Sequence, residues 1–287
     1  MSDRVLVETL HNASRTLVMG VVNVTPDSFS DGGQWFDRDV AVAHARHLLA
    51  QGADIVDVGG ESTRPGAEPV PVEEEIDRVL PVVEALVTDA DGTERRPGIS
   101  VDTVHARTAR AAVEAGASII NDVSGGTADP QILAVAAETG AHYILQHRRG
   151  TPETMNDLAV YDDVVSEVRD ELAQRLDAVV EAGVPAEHIV LDPGLGFAKN
   201  AEHNWTLLAH LDRLADLGRP LLIGASRKRF LATVVPDRLA TEPLARDNAT
   251  AAVTAIAAAA GVWGVRVHEV TASLDAARVA AAWVAHR

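Results

Sequence analysis

The chain has no cysteine among its 287 residues. Disulfide staples, thiolate nucleophiles and zinc–thiolate centres are therefore excluded, and any metal must be held by oxygen or imidazole ligands. Lysine is nearly absent too: only Lys199 and Lys228 occur, and 25 Lys and Arg stand against 42 Asp and Glu, a formal net charge of −17. A surface this acidic repels phosphates and anionic lipids, so neither a nucleic acid nor a membrane is expected as partner. No apolar run approaches the roughly 18 residues that a membrane span requires. The stretch from Met1 to Asn12 carries acids and lacks a basic-then-apolar leader pattern, and the expected location is the cytoplasm. Neither glycine-rich phosphate fingerprint, G-x-G-x-x-G or G-x-x-x-x-G-K-[ST], is found. Abundant carboxylates and alanine with almost no lysine read as adaptation to concentrated salt, where charges are screened within about 3 Å at 1 M. A GC-rich genome would also exchange lysine for arginine, but it does not account for the net charge.

What the chain does contain is one pattern, repeated. Short β-branched apolar runs are each followed by a longer amphipathic Ala/Leu/Val segment. The strand candidates are Leu17–Val24, Asp54–Gly59, Gly98–Asp102, Ser118–Val123, His142–His147, Ile189–Asp192, Pro220–Gly224 and Val262–His268. Helices are expected at Asp37–Gln51, Val72–Thr88, Val104–Ala115, Pro130–Thr139, Ala159–Ala182, Ala201–Leu217, Arg246–Ala260 and Ala272–Ala285. Several end on a glycine suited to a left-handed cap, at Gly52, Gly116, Gly140 and Gly183. Continuous apolar strands indicate a parallel sheet buried on both faces. Eight such units in a row, undivided by any linker, predict an α/β fold with a single (β/α)₈ barrel spanning about residues 17–286 of one domain. An open doubly wound sheet is the alternative.

In such barrels chemistry sits at the C-terminal ends of the strands. Those ends offer Asn23, Asp57, Asp102, Asn121 and Asp122, His147, Asp192, Ser226-Arg227-Lys228, and Arg266 with His268. One strand-end carboxylate is commonly a helix cap or a satisfied buried group. A polar side chain from every strand on one rim is a site. Asp102, Asn121 and Asp192 present carboxylate and amide edges to a flat, hydrogen-bonding heterocycle. Arg64, Lys228, Arg266 and His268 offer positive charge to an anionic leaving group. Asn23 can give one oxygen to a Mg²⁺ that keeps most of its waters. The connections Thr25–Phe36 and Glu61–Pro71, rich in Gly, Pro, Ser and Asp, have the composition of lids. Residues and spacing lead to a barrel enzyme acting on a polar heterocycle with a phosphate-type anion, without naming the substrate.

Met19-Gly-Val-Val-Asn23-Val-Thr-Pro-Asp-Ser-Phe-Ser-Asp-Gly-Gly33 and Asp57-Val-Gly-Gly-Glu-Ser-Thr-Arg-Pro-Gly66 resemble the first two signatures of dihydropteroate synthases. Ile99–Thr103, Ile120–Val123, Leu191–Phe197, Gly224–Lys228 and Arg266–His268 follow in the family's order, so the resemblance covers about Met19 to Ala285. It implies that Thr63, Asp102, Asn121, Asp192 and Lys228 hold a pterin pyrophosphate, with Arg266, Val267 and His268 near its anion and pterin face. It implies a p-aminobenzoate pocket from Phe29, Thr63, Arg64, Pro65 and Phe197 with Ser226 and Lys228 beside it, and Asn23 as the Mg²⁺ ligand. Lys228, Asp102 and Arg64 would carry the catalysis. The implied reaction joins 6-hydroxymethyl-7,8-dihydropterin pyrophosphate to p-aminobenzoate for folate biosynthesis, and the family suggests a homodimer. The alternatives are a pterin-dependent methyltransferase on a related barrel and a non-catalytic pterin-binding paralogue.

Two positions depart from the family's pattern. His147-Arg148-Arg149-Gly150 stands where His-Met-x-Gly is usual, and Arg148 is expected to face the barrel mouth. Gly196-Phe197-Ala198-Lys199 replaces Gly-Phe-Gly-Lys, so Ala198 is strained if its φ is positive. Lys199 reads equally as a structural or a peripheral residue.

Overall fold

A computed structural model describes residues 14–24, 34–62, 69–90, 96–236 and 241–287. Eight strands, every pairing parallel, run β1 (Leu17–Asn23), β2 (Ile55–Gly59), β3 (Gly98–Asp102), β4 (Ile119–Asp122), β5 (His142–Gln146), β6 (Ile189–Asp192), β7 (Leu222–Ile223) and β8 (Gly264–Val267). Their order, β6-β5-β4-β3-β2-β1-β8-β7, leaves one seam between β6 and β7. There an isolated Leu191–Leu221 bridge and a 2.9 Å bond from Leu191 N to the Pro220 carbonyl bring the ends together. The expected barrel is the observed one.

Helices alternate with the strands: α1 (Gln34–Ala50), α2 (Val72–Ala90), α3 (Ala106–Glu114), α4 (Gln131–Thr139), α5 (Val164–Glu181), α6 (Ala201–Ala209), α7 (Leu211–Ala215), α8 (Asp247–Ala259) and α9 (Val270–Ala285). Two expectations differ. The helix expected from Ala159 begins at Val164, because Asp163 in extended conformation accepts from the Val165 and Ser166 amides and fixes the first turn. The helix expected over Ala201–Leu217 is two, separated by His210, whose φ of −127° and ψ of 40° leave the helical region. Gly52, Gly116, Gly140 and Gly183 all have positive φ, as their capping role requires.

Side chains alternate across the strands and divide the core in two. Val18, Val22, Val56, Val58, Val101, Ile120, Tyr143 and Leu145 point outward into the large core beneath the helices. Leu17, Met19, Ile55, Ile119, Ile144, Val190 and Leu222 point inward and plug the barrel. Two residues further along five strands the inward position turns polar. Ile55 is followed by Asp57, Ile119 by Asn121, Ile144 by Gln146, Val190 by Asp192 and Gly264 by Arg266. The dry plug thus gives way to a polar mouth within about 7 Å of strand rise.

Candidate active site

Adjacent strands place the mouth residues in register: Asn23 opposite Gly59, Gly59 opposite Asp102, Asp102 opposite Asn121, and Gln146 opposite Asp192. Arg266 binds one side of this ring together. Its Nε donates to Asp57 Oδ2 at 2.6 Å and its Nη2 to Asp102 Oδ2 at 2.7 Å. Asn121 Nδ2 donates to the same Asp57 oxygen at 3.0 Å. Burial, opposed by Arg266 and reinforced by the negative charge of Asp57, pushes Asp102 up to about 7. Asp57 Oδ1 and Asn121 Oδ1 are buried and have no hydrogen-bond partner among the described residues. Buried acceptors left open cost about 1–3 kcal/mol each, so the mouth is built to receive a ligand's donors.

Asp192, also buried, accepts from the Gly194 amide at 2.7 Å through Oδ1. Burial raises its pKa, and the neighbouring Lys228 acts against that. Gly224 lies beside both: a Cβ there would meet Asp192 Oδ2 at 3.5 Å and Lys228 Nζ at 3.7 Å, ordinary van der Waals contact. Lys228 donates to the Leu195 carbonyl and holds its ammonium 4.8 Å from the centre of the half-buried Phe197 ring. Burial depresses its pKa to about 8, with Asp192 opposing. Ser226 Oγ and His268 Nδ1 are 3.0 Å apart, and the Ser226 oxygen accepts from the His268 amide at 3.1 Å. Arg227 between them has a φ of 58°, unfavourable for a side chain. It is held there by two bonds to Asp247, at 2.7 and 2.8 Å, and by Arg246 Nη1 donating to its carbonyl.

Lys199 lies behind this group. Its Nζ meets three acceptors, His147 Nδ1 at 2.8 Å, the Phe197 carbonyl at 3.0 Å and the Gly194 carbonyl at 3.2 Å, which match the three N–H bonds of an ammonium and oppose the burial that pulls its pKa well below the usual lysine value. Since an ammonium only donates, His147 accepts through Nδ1 and donates from Nε2 to Glu171 at 3.0 Å. Burial drives His147 down to about 3, so it is a neutral link between the two charges. Lys199 therefore fastens the β6–α6 connection, which carries Phe197 and the carbonyl acceptor of Lys228, to the end of β5.

Asp102, Asn121, Asp192, Ser226, Lys228, Arg266 and His268 thus meet at one rim, with Asn23 at the end of β1 on the inward parity and Phe197 beside Lys228. Val267 does not join them by its side chain: it follows the inward Arg266 and packs in the outer core. Arg148 is buried, with Asp122, Arg175 and Glu153 as its charged neighbours. Ala198 has a φ of 49°, the strain that its place in the motif implied. Phe29, Thr63, Arg64 and Pro65 lie outside the described residues. Two residues of the mouth were left without a role by the sequence reading. Asp57 was one strand-end acid among several, and Gln146 was passed over for His147. Counting in twos from the plug residues Ile55 and Ile144 reaches both.

Comparison with known proteins decides among enzymes that such a mouth could serve. Residues 19–268 match the family described as pterin binding enzyme. The dihydropteroate synthase of Mycobacterium leprae is 49% identical over 270 residues, covering 93% of each chain. The chain belongs to the dihydropteroate synthase family of pterin-binding enzymes. Among solved structures, Xanthomonas albilineans dihydropteroate synthase with 4-aminobenzoic acid superposes with a TM-score of 0.85 at 44% identity, over 95% of this chain and 93% of that one. The same enzyme in complex with 7,8-dihydropteroate gives 0.82 at 42% identity, over 95% and 94%.

Proposed function

We infer that this chain condenses 6-hydroxymethyl-7,8-dihydropterin pyrophosphate with p-aminobenzoate to give 7,8-dihydropteroate and pyrophosphate, a step of folate biosynthesis. The observation that carries this reading is the division of the mouth. Carboxylate and amide acceptors, two of them open, line the β2–β6 side. Lys228, Ser226 and His268 stand on the β7–β8 side, and the Arg266 guanidinium spans toward the acids.

Asp102, Asn121 and Asp192 accept from the donor edge of the pterin, joined by Asp57. Arg266, Ser226 and His268 face the pyrophosphate. The pterin CH₂–O bond breaks, and its electron pair leaves with the pyrophosphate, where cationic groups offset the growing charge. The buried carboxylates stabilise the positive charge left on the pterin. The neutral arylamine, bound beside Phe197 and Lys228, forms the new C–N bond and then loses a proton. Phe29, Thr63, Arg64 and Pro65 complete its pocket. Asn23, inward and partly exposed at the rim, fits a Mg²⁺ held by one protein oxygen with water and substrate phosphate; that ion would supply further charge to the leaving group. A cytoplasmic homodimer is part of the proposal, supported by the exposed Ile256 of α8 and Val279, Trp283 and Val284 of α9.

Calorimetric titration and turnover of two variants test the assignment. Asp192→Asn turns donors toward the pterin's donors and should weaken pterin pyrophosphate binding by about 1–3 kcal/mol. Lys228→Ala should keep pterin binding but lose p-aminobenzoate affinity and turnover together, and Lys228→Arg should not restore them. In the parent, kcat/KM for the pyrophosphate substrate should fall as pH rises through about 8, where the ammonium is lost. Normal p-aminobenzoate binding and near-parent turnover in Lys228→Ala would remove the lysine from the mechanism.

A further inference from the structure

Outside the mouth, the described residues hold one cluster of metal-ligand type. Glu61 leads into the connection after β2, Glu75 lies in the first turn of α2, and His105 precedes α3. One carboxylate oxygen from each glutamate and one His105 ring nitrogen all lie within 4.8 Å of one another. His105 Nδ1 is 2.8 Å from Glu75 Oε2 and 4.0 Å from Glu61 Oε2.

Three observations make this more than an acidic cluster. Glu75 is fully buried and its Oε1 has no hydrogen-bond partner among the described residues. Glu61 Oε2 is likewise a buried atom without a partner, and it is the atom turned toward His105. The Thr108 hydroxyl donates to Glu75 Oε2, fixing the carboxylate as outer partners do at metal sites. Charge points the same way. Two carboxylates beside a single imidazolium leave a net negative charge in a buried place, whereas a dication with neutral imidazole leaves none. Arg78, the nearest guanidinium, is committed to the Gly60 carbonyl and to Glu74.

We propose that Glu61, Glu75 and His105 form a second cation site, distinct from Asn23, for a divalent transition metal of the zinc class. An imidazole with two carboxylates suits Zn²⁺ better than Mg²⁺, which takes oxygen ligands. Bonds of about 2.1 Å around a tetrahedral ion separate its ligands by roughly 3.4 Å, between the two observed His105 distances. Binding displaces the Nδ1 proton to solvent, and water fills the remaining position on the exposed side. The ion ties the root of the β2 connection to α2 and to the β3–α3 turn. It thereby braces the segment that leads into Thr63-Arg64-Pro65.

The full chain, stripped with EDTA, is titrated with zinc chloride and separately with magnesium chloride, with calorimetry and thermal melting as readouts. The expected result is one zinc ion per chain bound more tightly than magnesium, with melting raised by about 4 °C or more. Zinc affinity should fall by roughly tenfold or more in His105→Ala and in Glu61→Gln, neither of which empties a buried position. Glu75→Gln is not needed for the test, so a folding defect there cannot obscure it. Absence of tight zinc binding in the parent overturns the proposal. So does a zinc isotherm in His105→Ala equal to the parent's, which assigns the ion to other surface histidines.

Discussion

The two ends of the barrel interior are built on the same strands and answer to different demands. At the lower end Leu17, Met19, Ile55, Ile119, Ile144, Val190 and Leu222 fill the space with hydrocarbon and no polar atom. One pleat higher, Asp57, Asn121, Gln146, Asp192 and Arg266 occupy the corresponding positions, all but Arg266 nearly as deeply buried, with acceptors left open. Burial is therefore a poor guide to role in this molecule. The plug gains by excluding water, whereas the mouth holds polar groups at a cost that a bound substrate removes.

Changes that confuse the two ends should have the largest effect. Arg266→Met leaves Asp57 and Asp102 in the barrel without their guanidinium. Urea unfolding at neutral pH should show about 3–5 kcal/mol of lost stability, and pterin binding should vanish. The loss should shrink in acid. A buried carboxyl with a raised pKa takes up in the folded state a proton that the unfolded chain lacks, so its penalty is present above that pKa and disappears as pH falls through it, here about 7 in the parent. A deficit unchanged between pH 8 and pH 5 would mean that these acids are not the source.

The opposite outcome is expected of the plug. Ile144→Ala, at a fully buried position, should cost about 2–5 kcal/mol in the same experiment. KM for either substrate should stay at the parent value, and a changed KM would show that plug and mouth are coupled. Ala198→Gly relieves a φ of 49° in the connection beside the mouth and should add roughly 0.5–1 kcal/mol without altering turnover. The gentlest perturbation is salt. With a net charge of −17, the melting temperature should climb with molar KCl. A flat curve would leave genome composition as the reason for the scarcity of lysine.

The barrel was legible because its signals are local. β-branched runs and amphipathic segments recur eight times, glycines cap several of the helices, and strand ends name the rim. Register and parity are not local. Asp57 and Gln146 face the mouth only because Ile55 and Ile144 face inward, and His147, though one step beyond Gln146, turns into the wall toward Glu171. Lys199 could not be assigned from the sequence because its three acceptors include two backbone carbonyls, which no residue type announces.

A chain with two lysines also has an unusual surface chemistry. Lys199 is buried with all three of its hydrogens engaged, so Lys228 is the one side-chain amine with an opening to solvent. With its pKa brought to about 8, about a tenth of it is an unprotonated nucleophile at neutral pH, far more than for an ordinary lysine. Amine-directed acylating reagents, which decorate most proteins at many lysines, should here modify a single lysine side chain. The rate of that modification then reports whether the mouth is occupied.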